Sequence, residues 1–272
     1  MTLGFLGSGA ITSAMVAGLN SAGDWPHAIR LSPRNASVST DLARRYSLVS
    51  VASTNQEVVE ESGAVVIAVR PQIAPSVLAE LRFRPDQHVL SLVSGLSVGR
   101  LAGLVAPATR ITRAVPLPSA ARRRSPTAIY PNDPEAFALF TLLGEAFAAE
   151  SERQFDAFCT VTATMAAYYR FAETAAAWLT RQGIAEQPAG EYIARIFFGL
   201  AETALHAPGR TFHALAADHA TRGGVNEQVV NHLAAHGVFD RYSEALDGIM
   251  RRVTSANLPA DFTGPSSPAV LE

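Results

Sequence analysis

Lysine is absent from this chain, because all 22 of its Lys or Arg residues are arginines. A Schiff base to the protein therefore cannot form, and no lysine can serve as a general acid or base. Cysteine is nearly absent too. The only one, Cys159, excludes an internal disulfide and a zinc site built from several cysteines, and its apolar, helix-like surroundings predict a packed thiol.

Charged residues make up only 17% of the chain, hydrophobic residues make up 48%, and the net charge is -2. This balance gives no reason to expect nucleic acid as a partner. No uninterrupted apolar run reaches the roughly 18 residues of a membrane span, and no basic region precedes the first apolar segment. We therefore expect a cytoplasmic protein with a small-molecule substrate and no membrane partner. The histidines and carboxylates show no metal-ligand spacing, so no metal is expected.

The most informative segment is the N-terminus, where a short apolar stretch, a glycine turn and a helical pattern follow one another. Thr2 to Leu6 predict a buried strand, Gly7-Ser8-Gly9 a turn, and Ala10 to Leu19 a helix. This order is typical of a dinucleotide-binding site, in which the glycines let the backbone approach a pyrophosphate at the helix N-terminus. Thr12 stands where the usual fingerprint has its third glycine.

The next predicted strand ends in Leu31-Ser32-Pro33-Arg34-Asn35. Chains that bind NAD usually carry Asp or Glu near this point, about 20 residues after the glycines, for the ribose hydroxyls. Here a hydroxyl, a guanidinium and an amide take its place, and these groups suit a phosphate. The sequence therefore predicts NADPH as the cofactor.

Residues 1–150 alternate strands with helices, as expected for a Rossmann-type, doubly wound parallel sheet that binds NADP. Val65–Val69 and Val89–Val93 are continuous apolar runs, which favour strands covered on both faces. The predicted strands are Thr2–Leu6, Ile29–Ser32, Val49–Val51, Ala64–Ala68, His88–Ser91, Ile111–Ala114 and Thr127–Tyr130.

Residues 151–257 predict an all-helical domain for dimerisation and substrate binding. Ser151 to Gln182 indicate one long helix, Pro188 opens another that runs to about His206, and a further helix begins near Asn226. Apolar side chains recur at helical spacing along the first of these, and their exposure in a monomer would be unfavourable. We expect a homodimer, with higher homo-oligomers left open. Residues 258–272, rich in Pro, Ser and Gly, are expected to form a flexible tail.

Several motifs resemble the pyrroline-5-carboxylate reductase family. Asn55-Gln56-Glu57-Val58-Val59 matches N-x-E-V-V, and the run from Val65 to Gln72 matches V-I-L-A-V-K-P-Q. Arg113-Ala114-Val115-Pro116 stands where the family reads R-V-M-P, and Gly223-Gly224 lies within a T-S-P-G-G-T-T-like turn. These matches keep the family's order over about residues 3 to 253.

The resemblance implies a set of cofactor-binding residues in three groups. Gly7, Ser8, Gly9, Ala10 and Ile11 would hold the pyrophosphate. The ribose phosphate would lie against Ser32, Arg34 and Asn35, with Asn55 on the adenosine side. The nicotinamide half would be lined by Ala68, Val69, Pro71, Ser94 and Gly95.

The substrate half departs from the family. Pro116-Leu117-Pro118-Ser119-Ala120 replaces P-N-T-P-A, and Thr162 to Tyr168 replaces S-G-S-G-P-A-Y with both glycines lost. In the family, this second loop, the G-G-T-T turn and the start of the next helix hold the substrate carboxylate through amides and hydroxyls. The substrate-binding residues implied here are Pro116, Thr164, Thr221, Gly223, Gly224 and Asn226.

The proton donor stays open among four side chains. Tyr168 and Thr221 are the first candidates for catalysis, and Glu227 and His219 are the others. Glu227 would oppose a substrate carboxylate if it pointed inward, and as a first-turn helix residue it is otherwise expected to face solvent. Arg222 and the run Arg122–Arg124 are either surface charges or attractors of an anionic substrate.

Two enzyme hypotheses and one binding hypothesis follow. The leading one is an NADPH-dependent reductase that transfers a hydride to a cyclic imine or imino acid, with pyrroline-5-carboxylate, and hence proline biosynthesis, as one candidate. The second is a reductase of a different imine or keto substrate. The third, motivated by the lost glycines, is a catalytically silent NADP(H)-binding sensor dimer.

Overall fold

The computed structural model describes residues 2–23 and 25–254. The chain forms two compact units, Met1–Thr160 together with Met250–Glu272, and Val161–Ile249. The first unit extends past the predicted boundary at residue 150, because Phe155 is buried with Ala128 and Ala149 of that unit. The predicted flexible tail, residues 258–272, lies outside the described residues.

An eight-stranded sheet forms the centre of the first unit. Its strand order is β3-β2-β1-β4-β5-β6-β7-β8, and every neighbouring pair is parallel except β6 and β7. The strands are β1 Leu3–Leu6, β2 Ile29–Leu31, β3 Val49–Val51, β4 Ala64–Ile67, β5 His88–Ser91, β6 Arg110–Val115, β7 Ser125–Tyr130 and β8 Gly144–Ala148. The predicted doubly wound, Rossmann-type sheet is confirmed.

Helices cover both faces of this sheet. Leu3 and Phe5 of β1 belong to one buried cluster, and Leu6 belongs to another, because successive side chains of a strand point to opposite faces. The helices between the strands are α1 Ala10–Ser21, α2 Ala36–Arg45, α3 Asn55–Glu61, α4 Ala74–Ala79, α5 Val98–Leu104, a 3₁₀ helix Pro118–Arg122, and α6 Pro134–Leu142. Burial on both faces explains the continuous apolar runs of β4 and β5.

The rest of the described chain is helical, as predicted for the C-terminal domain. Its helices are α7 Glu152–Thr162, α8 Met165–Arg181, α9 Glu186–Leu205, α10 Phe212–His219, α11 Val225–Ala235 and α12 Val238–Thr254. The prediction of one helix over 151–182 is wrong. The chain breaks at Thr164, whose amide and hydroxyl both donate to the Val161 carbonyl, at 3.1 and 2.8 Å.

The second unit buries few of its apolar side chains. Helices α8, α10 and α11 contain no buried residue, whereas α9 buries Ala189 and Ile193. Tyr169 is 69% exposed and Phe198 is 63% exposed. Within the described residues, no helix is both long enough and apolar enough to span a membrane.

Candidate active site

The glycine turn after β1 is held by its neighbours. Gly7 has φ +104°, and a Cβ there would lie 2.6 Å from the carbonyl oxygen of Ala68, so a side chain does not fit. A Cβ at Gly9 would meet nothing within 4 Å. The turn is therefore closed towards β4 and open in front of the N-terminus of α1, which is the arrangement that a pyrophosphate needs.

Thr12, which replaces the third glycine of the fingerprint, supports the same turn. It is fully buried, and its hydroxyl donates to the Gly7 carbonyl at 2.8 Å. Close packing of α1 against the 3₁₀ helix instead depends on Gly18, where a Cβ would lie 2.1 Å from the Ala120 carbonyl oxygen. Sequence reasoning missed this role of Thr12, since a hydroxyl at that position has no fixed partner until the turn is built.

The end of β2 lies beside the turn, because β1 and β2 pair in parallel register. Ser32 is fully buried, and its hydroxyl accepts a hydrogen bond from the Gly7 amide at 2.9 Å. Asn35 adopts a left-handed conformation, φ 62°, and its side-chain amide donates to the Ser8 carbonyl at 2.9 Å. Both residues hold the turn in this structure, and their predicted contact with a ribose phosphate stays a prediction.

Arg34 is the cationic group at this edge. It is exposed, and among the residues that the structure describes it has no ion-pair or hydrogen-bond partner. Its guanidinium is therefore free to meet a ligand anion. Asn55, the first residue of α3, is half-buried, and the preceding Thr54 caps the helix by accepting from the Glu57 amide at 3.1 Å.

The predicted nicotinamide-side residues follow β4 and β5. The Ala68 amide donates to the Leu6 carbonyl at 2.8 Å, which sets this segment beside the glycine turn. Pro71 is exposed and Val69 is half-buried. After β5, Ser94 is exposed and Gly95 has φ +74°. The predicted cofactor residues thus gather along the carboxyl edge of the sheet, where ligands of such folds bind.

A cavity of about 270 Å³ opens beside Gly95, and a buried arginine lies against it. Arg113 of β6 is 2% exposed and donates to Glu152 at 2.8 Å and to Asp156 at 3.0 Å, with its guanidinium 4.4 Å from the centre of the Phe155 ring. The lining residues are Gly95, Ser97, Arg113, Glu152, Arg153, Asp156, Val253 and Thr254. Glu152 also accepts from the Val98 amide at 2.8 Å.

This ion-pair cluster was not predicted, although Glu152 and Asp156 have the i, i+4 spacing of one helix face. Burial raises the pKa of the Asp156 carboxyl in spite of the neighbouring Arg113. Burial also raises the pKa of the Cys159 thiol to about 12, which agrees with the expected inert, packed role. Within the described residues no cluster of possible metal ligands occurs.

In the second unit, the glycine turn before α11 brings together most of the predicted substrate residues. Gly223 has φ +74°, and the Gly224 amide donates to the Thr221 carbonyl at 2.8 Å. The Gly223 amide donates to the carboxylate of Glu227 at 2.6 Å. Glu227 therefore folds back onto the turn instead of extending into solvent. Asn226 is exposed at the start of the helix.

Thr164 and Tyr168 lie one helical turn apart. The Thr164 hydroxyl donates a hydrogen bond to the Val161 carbonyl at 2.8 Å. Tyr168 is 43% exposed, and its ring packs edge-on against Tyr169 and Phe197. Pro116, by contrast, is buried in the first unit. The proposed roles of Thr164, Tyr168 and Pro116 stay predictions.

The remaining candidates have local contacts. His219 is exposed, with its Nδ1 3.0 Å from the Leu215 carbonyl oxygen. In the basic run, Arg123 adopts a left-handed conformation and its Nε donates to the Leu142 carbonyl at 2.7 Å. Arg123 therefore closes the 3₁₀ helix, while Arg122 and Arg124 are exposed.

Comparisons with known proteins agree with this architecture. A family model described as "NADP oxidoreductase coenzyme F420-dependent" matches residues 2–95, and one described as "Pyrroline-5-carboxylate reductase dimerisation" matches residues 152–256. The fold and the glycine turn define an oxidoreductase with a Rossmann-type nucleotide-binding domain and a helical C-terminal domain. Within that class, the C-terminal domain is that of the pyrroline-5-carboxylate reductase family.

Two curated relatives carry this family's name. A pyrroline-5-carboxylate reductase from Pseudomonas aeruginosa is 25% identical over 61% of this chain, and the chain spans 64% of the length of that relative. Pyrroline-5-carboxylate reductase 2 from Bacillus subtilis is 25% identical over 96% of both chains. The resemblance found in the sequence is confirmed at the level of the family.

Solved structures share the fold. A 1-pyrroline-5-carboxylate reductase from Streptococcus pyogenes has a TM-score of 0.82 at 24% identity, over 94% of this chain and 98% of that one. The structure of Plasmodium falciparum pyrroline carboxylate reductase with NADP bound also has a TM-score of 0.82. It is 17% identical and covers 95% of this chain and 98% of that one. A reductive aminase from Aspergillus terreus in complex with NADPH and ethyl levulinate has a TM-score of 0.59. It is 16% identical and covers 94% of this chain and 93% of that one.

Proposed function

We propose that this protein is an NADPH-dependent reductase that transfers a hydride to the carbon of a C=N bond in a cyclic imine or imino acid. The observation that carries the proposal is the edge at β1 and β2. There the open turn at Gly9 is close in space to Arg34, whose guanidinium has no partner among the residues that the structure describes. An open amide turn suits a pyrophosphate, and a free guanidinium suits a ribose phosphate. The relative with bound NADP has the same fold.

The residues fit a dinucleotide by a steric criterion as well. Gly7 cannot carry a side chain, whereas a Cβ at Gly9 would meet no atom of the described residues within 4 Å. When bound, NADPH supplies the hydride. The chain's own task is then to orient the cofactor through the turn and Arg34, and to hold the nicotinamide side through Ser94 and Gly95.

An imine suits a chain without lysine. A protonated imine is already strongly electrophilic, so its reduction needs no lysine to polarise a carbonyl. The proton can come from solvent or from one of the predicted donors, Tyr168 or Thr221. Tyr168 is sufficiently exposed to meet a ligand, and its ring is held by Phe197. We also propose that the protein is a homodimer, since the second unit leaves many aromatic side chains exposed.

The test is to follow NADPH absorbance with the purified protein, pyrroline-5-carboxylate, other cyclic imines and keto acids. Oxidation of NADPH with at least one imine supports the proposal, and oxidation only with keto acids would move the activity to carbonyl reduction. A second candidate, a silent NADP(H)-binding sensor, is favoured by the loss of the family's loop glycines at Ala163 and Met165. Tight NADPH binding without turnover on the whole panel would select it.

A further inference from the structure

Two backbone amides of the glycine turn before α11 already donate hydrogen bonds to acceptors within the chain. The Gly224 amide donates to the Thr221 carbonyl at 2.8 Å, and the Gly223 amide donates to the Glu227 carboxylate at 2.6 Å. The resemblance assigns this turn to the carboxylate of the substrate. In this chain a carboxylate that belongs to the protein already occupies the Gly223 amide.

The negative charge of Glu227 further disfavours a substrate carboxylate at this turn. A carboxylate is favourable in the first turn of a helix, where backbone amides point outwards, and Glu227 takes that position in α11. A second carboxylate at the same turn would meet a like charge at close range, which is unfavourable unless one of the two groups binds a proton. A substrate carboxylate would therefore have to displace Glu227 or become protonated beside it.

Apart from that of Thr221, the hydroxyls that the resemblance assigns to the same task are missing or already donate within the chain. Val225 and Asn226 stand where the family's turn has two threonines, and the valine has no polar side-chain atom. In the other loop, the Thr164 hydroxyl donates to the Val161 carbonyl at 2.8 Å. The turn and the loop thus offer a substrate carboxylate less than the family's pattern does.

We infer that the substrate of this reductase is an imine without a carboxylate, and that Glu227 is the residue that sets this specificity by occupying the Gly223 amide. The inference rests on the proposed function and names its substrate class. A protonated cyclic imine is a cation, so a carboxylate at this turn favours it over a zwitterionic or anionic imino acid.

The test compares 1-pyrroline with pyrroline-5-carboxylate, two rings that differ by the carboxylate. Wild-type protein is expected to have the higher kcat/KM for 1-pyrroline. The Glu227→Ala variant, which frees the amide and removes the charge, should shift the ratio of the two kcat/KM values towards pyrroline-5-carboxylate by roughly tenfold or more, the size of a hydrogen bond to a charged group. Glu227→Gln, which keeps an oxygen acceptor, should give a smaller shift.

Glu186→Ala is the matched control, because Glu186 is an exposed acidic residue in the first turn of a different helix, α9. It should leave the ratio unchanged. Circular dichroism and thermal unfolding of all four proteins show whether each is folded. A wild-type preference for pyrroline-5-carboxylate, or a ratio that Glu227→Ala leaves as it is, would overturn the inference.

A binding measurement separates this inference from the proposed function. Titration calorimetry with NADP⁺ present compares L-proline with pyrrolidine, again a pair that differs by the carboxylate. Glu227→Ala is expected to gain roughly tenfold in affinity for L-proline and little for pyrrolidine. If no protein oxidises NADPH with any imine of the panel, the proposed reductase activity fails, while an unchanged proline affinity would still refute the role of Glu227.

Discussion

The hydroxyl of Ser32 accepts a hydrogen bond from the backbone amide of Gly7 at 2.9 Å, although the two residues are 25 positions apart in the sequence. Ser32 directly follows the second strand, and Gly7 directly follows the first. The backbone carbonyl of Ser32 also accepts a hydrogen bond from the Ser8 hydroxyl at 3.0 Å. The shape of the phosphate-binding turn is therefore set partly by the strand beside it.

Replacement of Ser32 by alanine should destabilise the protein and weaken NADPH binding together. The substitution leaves the half-buried Gly7 amide without its partner, which costs about 1 kcal/mol in the free energy of unfolding. Urea unfolding and a fluorescence titration with NADPH measure the two effects. Ser243→Ala, at an exposed serine of α12, is the control. Equal stability of the two variants would contradict the supporting role of Ser32.

Removal of the guanidinium of Arg34 should lower the affinity for NADPH much more than that for NADH. If Arg34 contacts the ribose phosphate, Arg34→Ala loses a charged hydrogen bond, and NADPH binding weakens by roughly ten- to a hundredfold. Arg44→Ala is the control, since Arg44 is exposed in the last turn of the following helix α2 and pairs with Asp41 instead. Equal losses for the two cofactors would show that the phosphate assignment is wrong.

Substitution of the buried Arg113 should be strongly destabilising. Arg113→Met leaves the carboxylates of Glu152 and Asp156 without their cation, and the loss of one partner from a buried pair costs about 3–5 kcal/mol. Arg195→Met removes an exposed i, i+4 pair with Glu191 and should change the free energy of unfolding by only about 0.5 kcal/mol. Denaturant unfolding of both variants gives the comparison. Similar values for the two would refute the importance of burial.

Asp133 should make the stability depend on pH in the acid range. Burial by itself raises the pKa of Asp133, but hydrogen bonds from Arg110 and the Ala136 amide outweigh it and lower the pKa to about 2. Because the pKa in the folded state lies below the ordinary value of 3.8, the stabilisation is present above pH 4 and is lost as the pH falls towards 2. The amount is about 2 kcal/mol.

The measurement for Asp133 is urea unfolding of wild type and Asp133→Asn between pH 7 and pH 2. Asparagine can still cap α6, so the difference between the two proteins should be largest at neutral pH and vanish near pH 2. Asp247→Asn, at an exposed carboxylate of α12, is the control and should show a much smaller pH-dependent difference. A difference that stays constant over the whole range would disagree with the lowered pKa.

Much of the first unit could be predicted from the sequence. The strands Val49–Val51 and His88–Ser91 have the predicted bounds. β8 was not predicted. Its sequence, Gly-Glu-Ala-Phe-Ala, buries only Ala146 fully and exposes its ends, so it carries no strong periodic signal. It forms through pairing with β7, which is a non-local contact.

The candidate site was predictable only where backbone geometry defines it. The open glycine turn and the free Arg34 follow from residue types at fixed positions. The contacts of Thr12 and Glu227 do not, since each depends on which of several possible acceptors or donors the folded chain places nearby. Glu227 was expected to face solvent as a first-turn carboxylate, and it folds back because the Gly223 amide lies within its reach.

The exposed aromatic residues of α9 lead to a prediction about assembly. Phe198 is 63% exposed and Tyr192 is 61% exposed, and surfaces of this kind are usually covered by a partner. We expect the purified protein to have twice the mass of one chain in light scattering. Phe198→Glu would place a charge on this surface and should shift the protein towards the monomer. Gln187→Glu introduces the same charge at an exposed polar position of α9 and should leave the dimer intact. A wild-type monomer, or equal behaviour of the two variants, would mean that this face of α9 does not hold two copies together.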